Sequence, residues 1–287
     1  MAESLFQIDP EILSSIHEFD WAIRSLAMGE YHGIKRSRRL GTGMEFSQYR
    51  PYSQGDDLRQ LDWKMYARSD KFYIKQSEVE TNIDVTFMID TSRSMNYEEN
   101  GWSKLDAAKM LCGVLAYVAL QNGDWISLAD GVNMKSGNDK KHWNRFLLSL
   151  QNLTETVQFQ QPFIEQRKSK ELFVFITDMY DEEEEMMQFI RSLKSSRNEV
   201  IIFHLMGARE ESLDFGNAVK LKDLETGVAT QLNPQVLKDT YQKRVKSWKK
   251  ELADEFLSAG IDYHSIDFTV PIALLINAFI HRRKSLL

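Results

Sequence analysis

The sequence predicts an α/β protein with a doubly wound, mostly parallel six-stranded sheet, helices on both faces and an N-terminal extension. Three observations predict it. From residue 83 onward, short apolar runs of strand length alternate with longer segments of helical periodicity. The runs at 172–176 and 200–205 read as buried strands, the kind a sheet covered on both faces requires. Asp90 follows the run at 83–89, and Asp178 follows the run at 172–176. Open α/β sheets bind ligands beyond the carboxyl ends of their strands, so both carboxylates fall where a site belongs.

Bulk composition narrows the class. A chain of 287 residues can form one large domain or two modest ones. Its 43% hydrophobic and 27% charged content is ordinary for a soluble globular protein. A net charge of −6 weighs against a nucleic-acid partner, since phosphate binding calls for a basic surface. The single cysteine, Cys112, rules out an intrachain disulfide and lies in an apolar helical run, which fits inert packing in a reducing compartment. Glu3, Asp9, Glu11, Glu18 and Asp20 interrupt any apolar core of a secretory signal. The most apolar stretch, 270–280, carries Asn277 and runs into His281, Arg282, Arg283 and Lys284. It reads as a buried terminal helix whose basic end complements the helix dipole, not as a membrane span. The expected location is cytoplasmic.

The elements follow in order. Ile12, Ile16, Phe19, Ile23 and Leu26 share one face of a helix over 9–30, with Asp9 as cap and Pro10 at its first position. After the strand at 83–89, residues 104–120 form a helix apolar on most sides. A strand at 125–129 and a turn at Asp130-Gly131 lead to a short antiparallel strand at 132–134. Helix 143–150, strand 172–176, helix 182–193 and strand 200–205 come next. Residues 207–232 suggest a small hairpin insertion around Gly227. Asn233-Pro234 starts a long polar helix to Ser258, closed by Gly260. A strand at 263–266 and a helix after Pro271 end the chain. Residues 1–80 thus form an extension packed on the main domain, 81–287.

Within that extension, residues 33–75 combine charge, glycine and aromatics at unusual density. Arg50, Gly55, Asp56, Asp57, Arg59, Asp62, Trp63 and Arg68 stand out. They read either as an ion-paired network bracing an irregular segment or as a partner-docking surface.

The chemistry is concentrated after the strand at 83–89. Asp90, Ser92 and Ser94 offer one carboxylate and two hydroxyls at alternate positions. Hard cations such as Mg²⁺ and Mn²⁺ take such oxygens in octahedral geometry. Asp178 supplies a second carboxylate from another strand end, and Thr156, or alternatively Thr154, a further hydroxyl from an intervening loop. A site with so little protein charge leaves the metal free to accept a partner's carboxylate, which would make it an adhesion site.

The run from Ile89 to Met95 resembles the metal-ion-dependent adhesion motif of von Willebrand factor A domains. Glu45-Phe46, Tyr49-Arg50, Tyr52, Gly55-Asp56-Asp57, Arg59, Asp62-Trp63 and Ala67-Arg68 resemble the signature of the bacterial family called domain of unknown function 58. That resemblance continues through Lys75, Glu78 and Glu80-Thr81 and resumes at Asp223-Leu224-Glu225-Thr226-Gly227. It implies a von Willebrand factor A-like, Rossmann-like fold with a metal site at the top of the sheet. It also implies work beside a MoxR-type AAA+ ATPase in assembling or maturing other proteins.

The function expected is a non-enzymatic protein-interaction module with a divalent-metal adhesion site, its partner a MoxR-type AAA+ ATPase or its client. Two alternatives use the same cluster: a metal-dependent hydrolase or phosphotransferase, and a scaffold with a degenerate site. Enzyme signatures are missing. There is no P-loop, no Gly-x-Ser-x-Gly elbow and no His-Glu-x-x-His, and the six histidines have no ligand spacing.

Overall fold

The computed structural model describes residues 45–53, 61–78, 83–129, 135–156, 171–180, 183–195, 198–215, 219–222, 224, 227, 229–232 and 234–284. The helix expected at 9–30, the strand at 132–134, and Gly55, Asp56, Asp57 and Arg59 lie outside the described residues. The chain divides into two compact units, residues 26–82 and residues 1–25 with 83–287.

The smaller unit is built on a hairpin. Strand β1 (Glu45–Pro51) pairs antiparallel with β2 (Tyr73–Glu78), with Tyr49 opposite Lys75; helix α1 (Trp63–Ser69) lies between them in sequence. Asp62 caps α1, its Oδ1 accepting from the backbone N–H groups of Lys64 (2.9 Å) and Met65 (3.0 Å). Tyr66 stacks on Phe72 at 4.5 Å between ring centroids, and Tyr52 meets Phe72 edge-on at 6.3 Å. Trp63 and Arg68 are exposed on α1. Arg50 lies in β1.

The described elements of the larger unit begin with β3 (Asp84–Ile89), a 3₁₀ turn (Arg93–Asn96) and a tight pair, β4 (Glu98–Glu99) and β5 (Trp102–Ser103). Next come α2 (Lys104–Gln121), β6 (Trp125–Leu128), α3 (Lys140–Asn152), β7 (Glu171–Thr177), α4 (Glu183–Leu193) and β8 (Asn198–Met206). The remainder is α5 (Ala208–Ser212), the antiparallel hairpin β9 (Val219–Lys222) and β10 (Ala229–Leu232), α6 (Pro234–Ser258), β11 (Asp262–Asp267) and α7 (Ile272–Lys284).

The central sheet has five strands, in order β6-β3-β7-β8-β11, and every pairing is parallel. Five of the six expected strands are described, and the sixth, expected at 132–134, lies outside the described residues. On that edge the described residues make an isolated antiparallel bridge, Ile126 to Gly137. Side chains alternate across the pleat. Leu172, Val174 and Ile176 join Val85, Phe87, Leu111, Leu115, Phe203 and Phe279 in one core. Phe173 and Phe175 join Met88, Ile190, Ile202 and Phe256 in the other. This two-sided burial explains the continuous apolar runs. Cys112 is sealed in the first core, and burial pushes its thiol well up, away from the thiolate form.

Caps set the helix starts. Ser103 Oγ accepts from the Asp106 N–H at 3.0 Å and opens α2. Asp139 accepts from the His142 N–H at 2.6 Å, so α3 begins at Lys140, three residues before the apolar periodicity.

Candidate functional site

Numbered by chain order within the sheet, the strands run 2-1-3-4-5, so the order reverses between β3 and β7. The crevice at such a reversal is where ligands bind in open parallel sheets. Asp90 leaves the carboxyl end of β3, and Asp178 leaves the adjacent end of β7. Pairing continues one residue past β3, with the Asp90 N–H donating to the Ile176 carbonyl at 2.9 Å. The 3₁₀ turn then folds Ser92 and Ser94 back over the strand ends, and its first bond runs from the Met95 N–H to the Ser92 carbonyl at 3.1 Å.

Four expected residues form one buried hydrogen-bonded chain. Asp90 Oδ1 accepts from the Ser92 N–H at 2.9 Å. The Ser92 and Ser94 hydroxyls are 3.0 Å apart, and Ser94 Oγ donates to Asp178 Oδ1 at 3.1 Å. Because Ser94 gives its proton to Asp178, Ser92 is the donor to Ser94. Thr177 Oγ1 donates to Asp90 Oδ2 at 2.7 Å. Thr156 approaches from the loop after α3: its N–H donates to the Thr91 carbonyl at 2.7 Å, and the two threonine hydroxyls lie 3.0 Å apart. Asn96 Nδ2 donates to Glu155 and fastens the same loop to the 3₁₀ turn. Thr154 is exposed.

Burial raises the Asp90 carboxyl from 3.8 to about 6, and the neighbouring Asp178 charge adds to the effect. The Thr177 and Ser92 hydrogen bonds pull the other way. The site therefore does not fully compensate the Asp90 carboxylate.

Sequence reasoning missed a cation here. Lys104 is 2% exposed, and its Nζ lies 2.8 Å from Asp178 Oδ2 and 2.8 Å from Glu210 Oε1. The ammonium also sits 5.3 Å from the centre of the Tyr97 ring. Burial alone would lower its pKa, but Asp178 and Glu210 outweigh burial and the net shift is upward. Glu210 is itself held, its Oε2 accepting from the Gly207 N–H at 3.1 Å. The available signal was position: Lys104 opens α2, where the helix dipole disfavours a cation. Thr177 and Glu210 gave no comparable signal.

The donor set fits a hard divalent cation in type. Asp90 and Asp178 supply carboxylates, and Ser92, Ser94 and Thr156 supply hydroxyls, as Mg²⁺ or Mn²⁺ prefer. A cation would also offset the charge that raises Asp90. Among the described residues there is no group of three or more His, Cys, Asp or Glu side chains placed to hold a metal, so any such site is hydroxyl-rich.

Comparison with known proteins adds the following. A family model described as "Protein of unknown function DUF58" matches residues 48–251. An uncharacterized protein of Mycobacterium bovis is 20% identical over 272 residues, covering 88% of this chain and 83% of that protein. Uncharacterized proteins of Mycobacterium tuberculosis match equally, at 20% over 272 residues. A conserved hypothetical protein, BatB, from Bacteroides thetaiotaomicron aligns with a TM-score of 0.41 and 12% identity, over 65% of this chain and 91% of that one. An aerotolerance-related membrane protein from Bacteroides fragilis aligns with a TM-score of 0.40 and 16% identity, over 70% of this chain and 100% of that one.

The expected cytoplasmic location is corrected by this comparison. One similar solved structure is of a protein described as a membrane protein, and another, from Vibrio fischeri, as membrane spanning. Composition and the lack of a signal-like stretch do not decide where such an α/β unit works. Among the described residues, no helix is long and apolar enough to cross a membrane.

Proposed function

The chain belongs to the family DUF58, whose function is unknown, and on that premise we propose that it is a non-enzymatic protein-interaction module with a divalent-metal adhesion site. One observation carries the reading: Asp90, Ser92, Ser94 and Asp178 meet in a single hydrogen-bonded chain at the switch point of the sheet. Those residues, with Thr156, would hold Mg²⁺ or Mn²⁺. When bound, the ion supplies a positive centre with an open position for a carboxylate from a partner. The chain's own part is to orient the oxygens, and the 3₁₀ turn and the Asp178 loop do so through backbone bonds. The proposed partner is a MoxR-type AAA+ ATPase or its client, as the family resemblance implies.

Calorimetric titration of chelator-stripped protein with Mg²⁺ and Mn²⁺ tests the metal, with Asp90→Ala alongside. One saturable site, lost in a variant that still melts cooperatively, is expected. No binding by wild type at millimolar metal would overturn the adhesion site. It would favour instead a metal-free scaffold, the reading to which the buried Lys104 ammonium beside Asp178 lends support.

A further inference from the structure

We infer that Lys104 is the resident cation of this site and competes with a divalent ion for Asp178, keeping the metal affinity of the free protein low. The inference rests on the adhesion-site reading and adds a control to it. The two oxygens of Asp178 serve different partners: Oδ1 accepts from Ser94 at 3.1 Å, on the side of Asp90, and Oδ2 accepts from Lys104 at 2.8 Å. An ion bound through Oδ1 would share one carboxylate with a full positive charge a few ångströms away. At that range, in a buried setting, repulsion between a divalent and a monovalent cation is large.

The ammonium is not free to move aside. Its Nζ is bonded to Asp178 and Glu210, lies over the Tyr97 ring, and belongs to a side chain that is 2% exposed. Glu210 is anchored in turn by the Gly207 N–H. Lys104 also occupies the first position of α2, where the helix dipole works against it. Two carboxylates therefore hold a cation at a place the helix alone would reject. Asp178 is partly spent before any metal arrives. A partner that brings its own carboxylate supplies the share Lys104 withholds, so the free protein binds the metal weakly and the partner tightens it.

The test is Mn²⁺ titration of the chelator-stripped full chain, read by calorimetry. Lys104→Met is expected to bind Mn²⁺ roughly tenfold or more tightly than wild type. Lys104→Arg, which keeps the charge, should stay near wild type. Adding Asp178→Asn to Lys104→Met should remove the gain. If Lys104→Met fails to melt cooperatively, Lys104→Met with Glu210→Gln replaces it, since that pair leaves no carboxylate stranded at Glu210. Equal or weaker binding by the folded variant, with wild type binding measurably, overturns the inference and leaves the metal site standing. No binding by either protein at millimolar Mn²⁺ overturns both.

Discussion

Thr177 Oγ1 lies 2.7 Å from Asp90 Oδ2 and donates to it, joining the ends of two neighbouring parallel strands through side chains as well as backbone. The same hydroxyl accepts from the Met179 N–H at 2.9 Å, so both of its hydrogen-bonding roles are used. Thr177→Val keeps the shape and deletes the hydroxyl. It should cost about 1–3 kcal/mol, because a buried carboxylate oxygen and a buried N–H both lose a partner. Chemical denaturation at neutral pH would measure the loss. The Asp90 carboxyl should also titrate higher than in wild type, since the Thr177 bond is among the contacts that lower it.

Two buried groups give opposing pH dependences. Asp90 is raised from 3.8 to about 6, so between those values the folded state holds a proton that the unfolded state has released. Its contribution to stability is therefore full below about pH 4 and is lost as pH rises through 6. His204 is fully buried, shares a 2.6 Å hydrogen bond with Tyr263 Oη, and is lowered from 6.5 to about 3, mainly by burial. Its contribution is present above pH 6.5 and is lost as pH falls toward 3. The two slopes partly cancel between about pH 4 and 6. Asp90→Asn removes one of them. The variant should show a steeper rise of stability with pH over that window, seen in melting temperatures from pH 4 to 7, and no added loss on approach to neutrality.

The two candidate threonines should separate cleanly. Thr156 is bonded through both backbone and hydroxyl to Thr91, next to Asp90, whereas Thr154 is exposed. Thr156→Val should weaken Mn²⁺ binding by about tenfold, the worth of one well-placed oxygen donor. Thr154→Val should leave binding unchanged. Equal effects in paired titrations would remove Thr156 from the site.

Gly207 marks a close approach. A Cβ there would overlap the Glu99 carboxylate and come within 3.0 Å of the Tyr97 ring and 3.1 Å of the Phe268 ring. Glu99 cannot easily yield, because it is buried and both of its oxygens accept from the Arg209 N–H at 3.1 Å. Gly207→Ala should destabilise by about 1–3 kcal/mol through overpacking. Because Glu210 is anchored at the same turn, the variant should also loosen the Lys104 cage. Thermal melting checks the first effect, and a change in Mn²⁺ affinity the second.

How much of this was legible in sequence follows from the range of each interaction. Strands β3 and β7 announce themselves locally, and the Asp that follows each is then placed by the sheet. Asp90, Ser92, Ser94 and Asp178 were readable for that reason. Lys104 was not, because its role depends on which strand end α2 starts beside, a tertiary fact. Glu210 sits in a stretch without periodicity, and its partner lies 106 residues away. Asp62 caps the backbone N–H groups of its own helix, a local role that its position just before Trp63 makes readable. The sixth strand rests on a turn signal and three residues that lie outside the described ones.

The strand order has a consequence for when the site exists during synthesis. Asp90 and Thr177 are 87 residues apart in the chain, and they meet only through the β3–β7 pairing at the centre of the sheet. A ribosome that has delivered the first serines has delivered half a site: a carboxylate and two hydroxyls, with no opposing Asp178 and no Thr177 to orient Asp90. Closing so long a loop is paid for by the sheet, not by the site itself. Under the proposed function, capture of a partner at this edge would certify that the central strands have come together, and a truncated or half-folded copy would stay invisible to that partner.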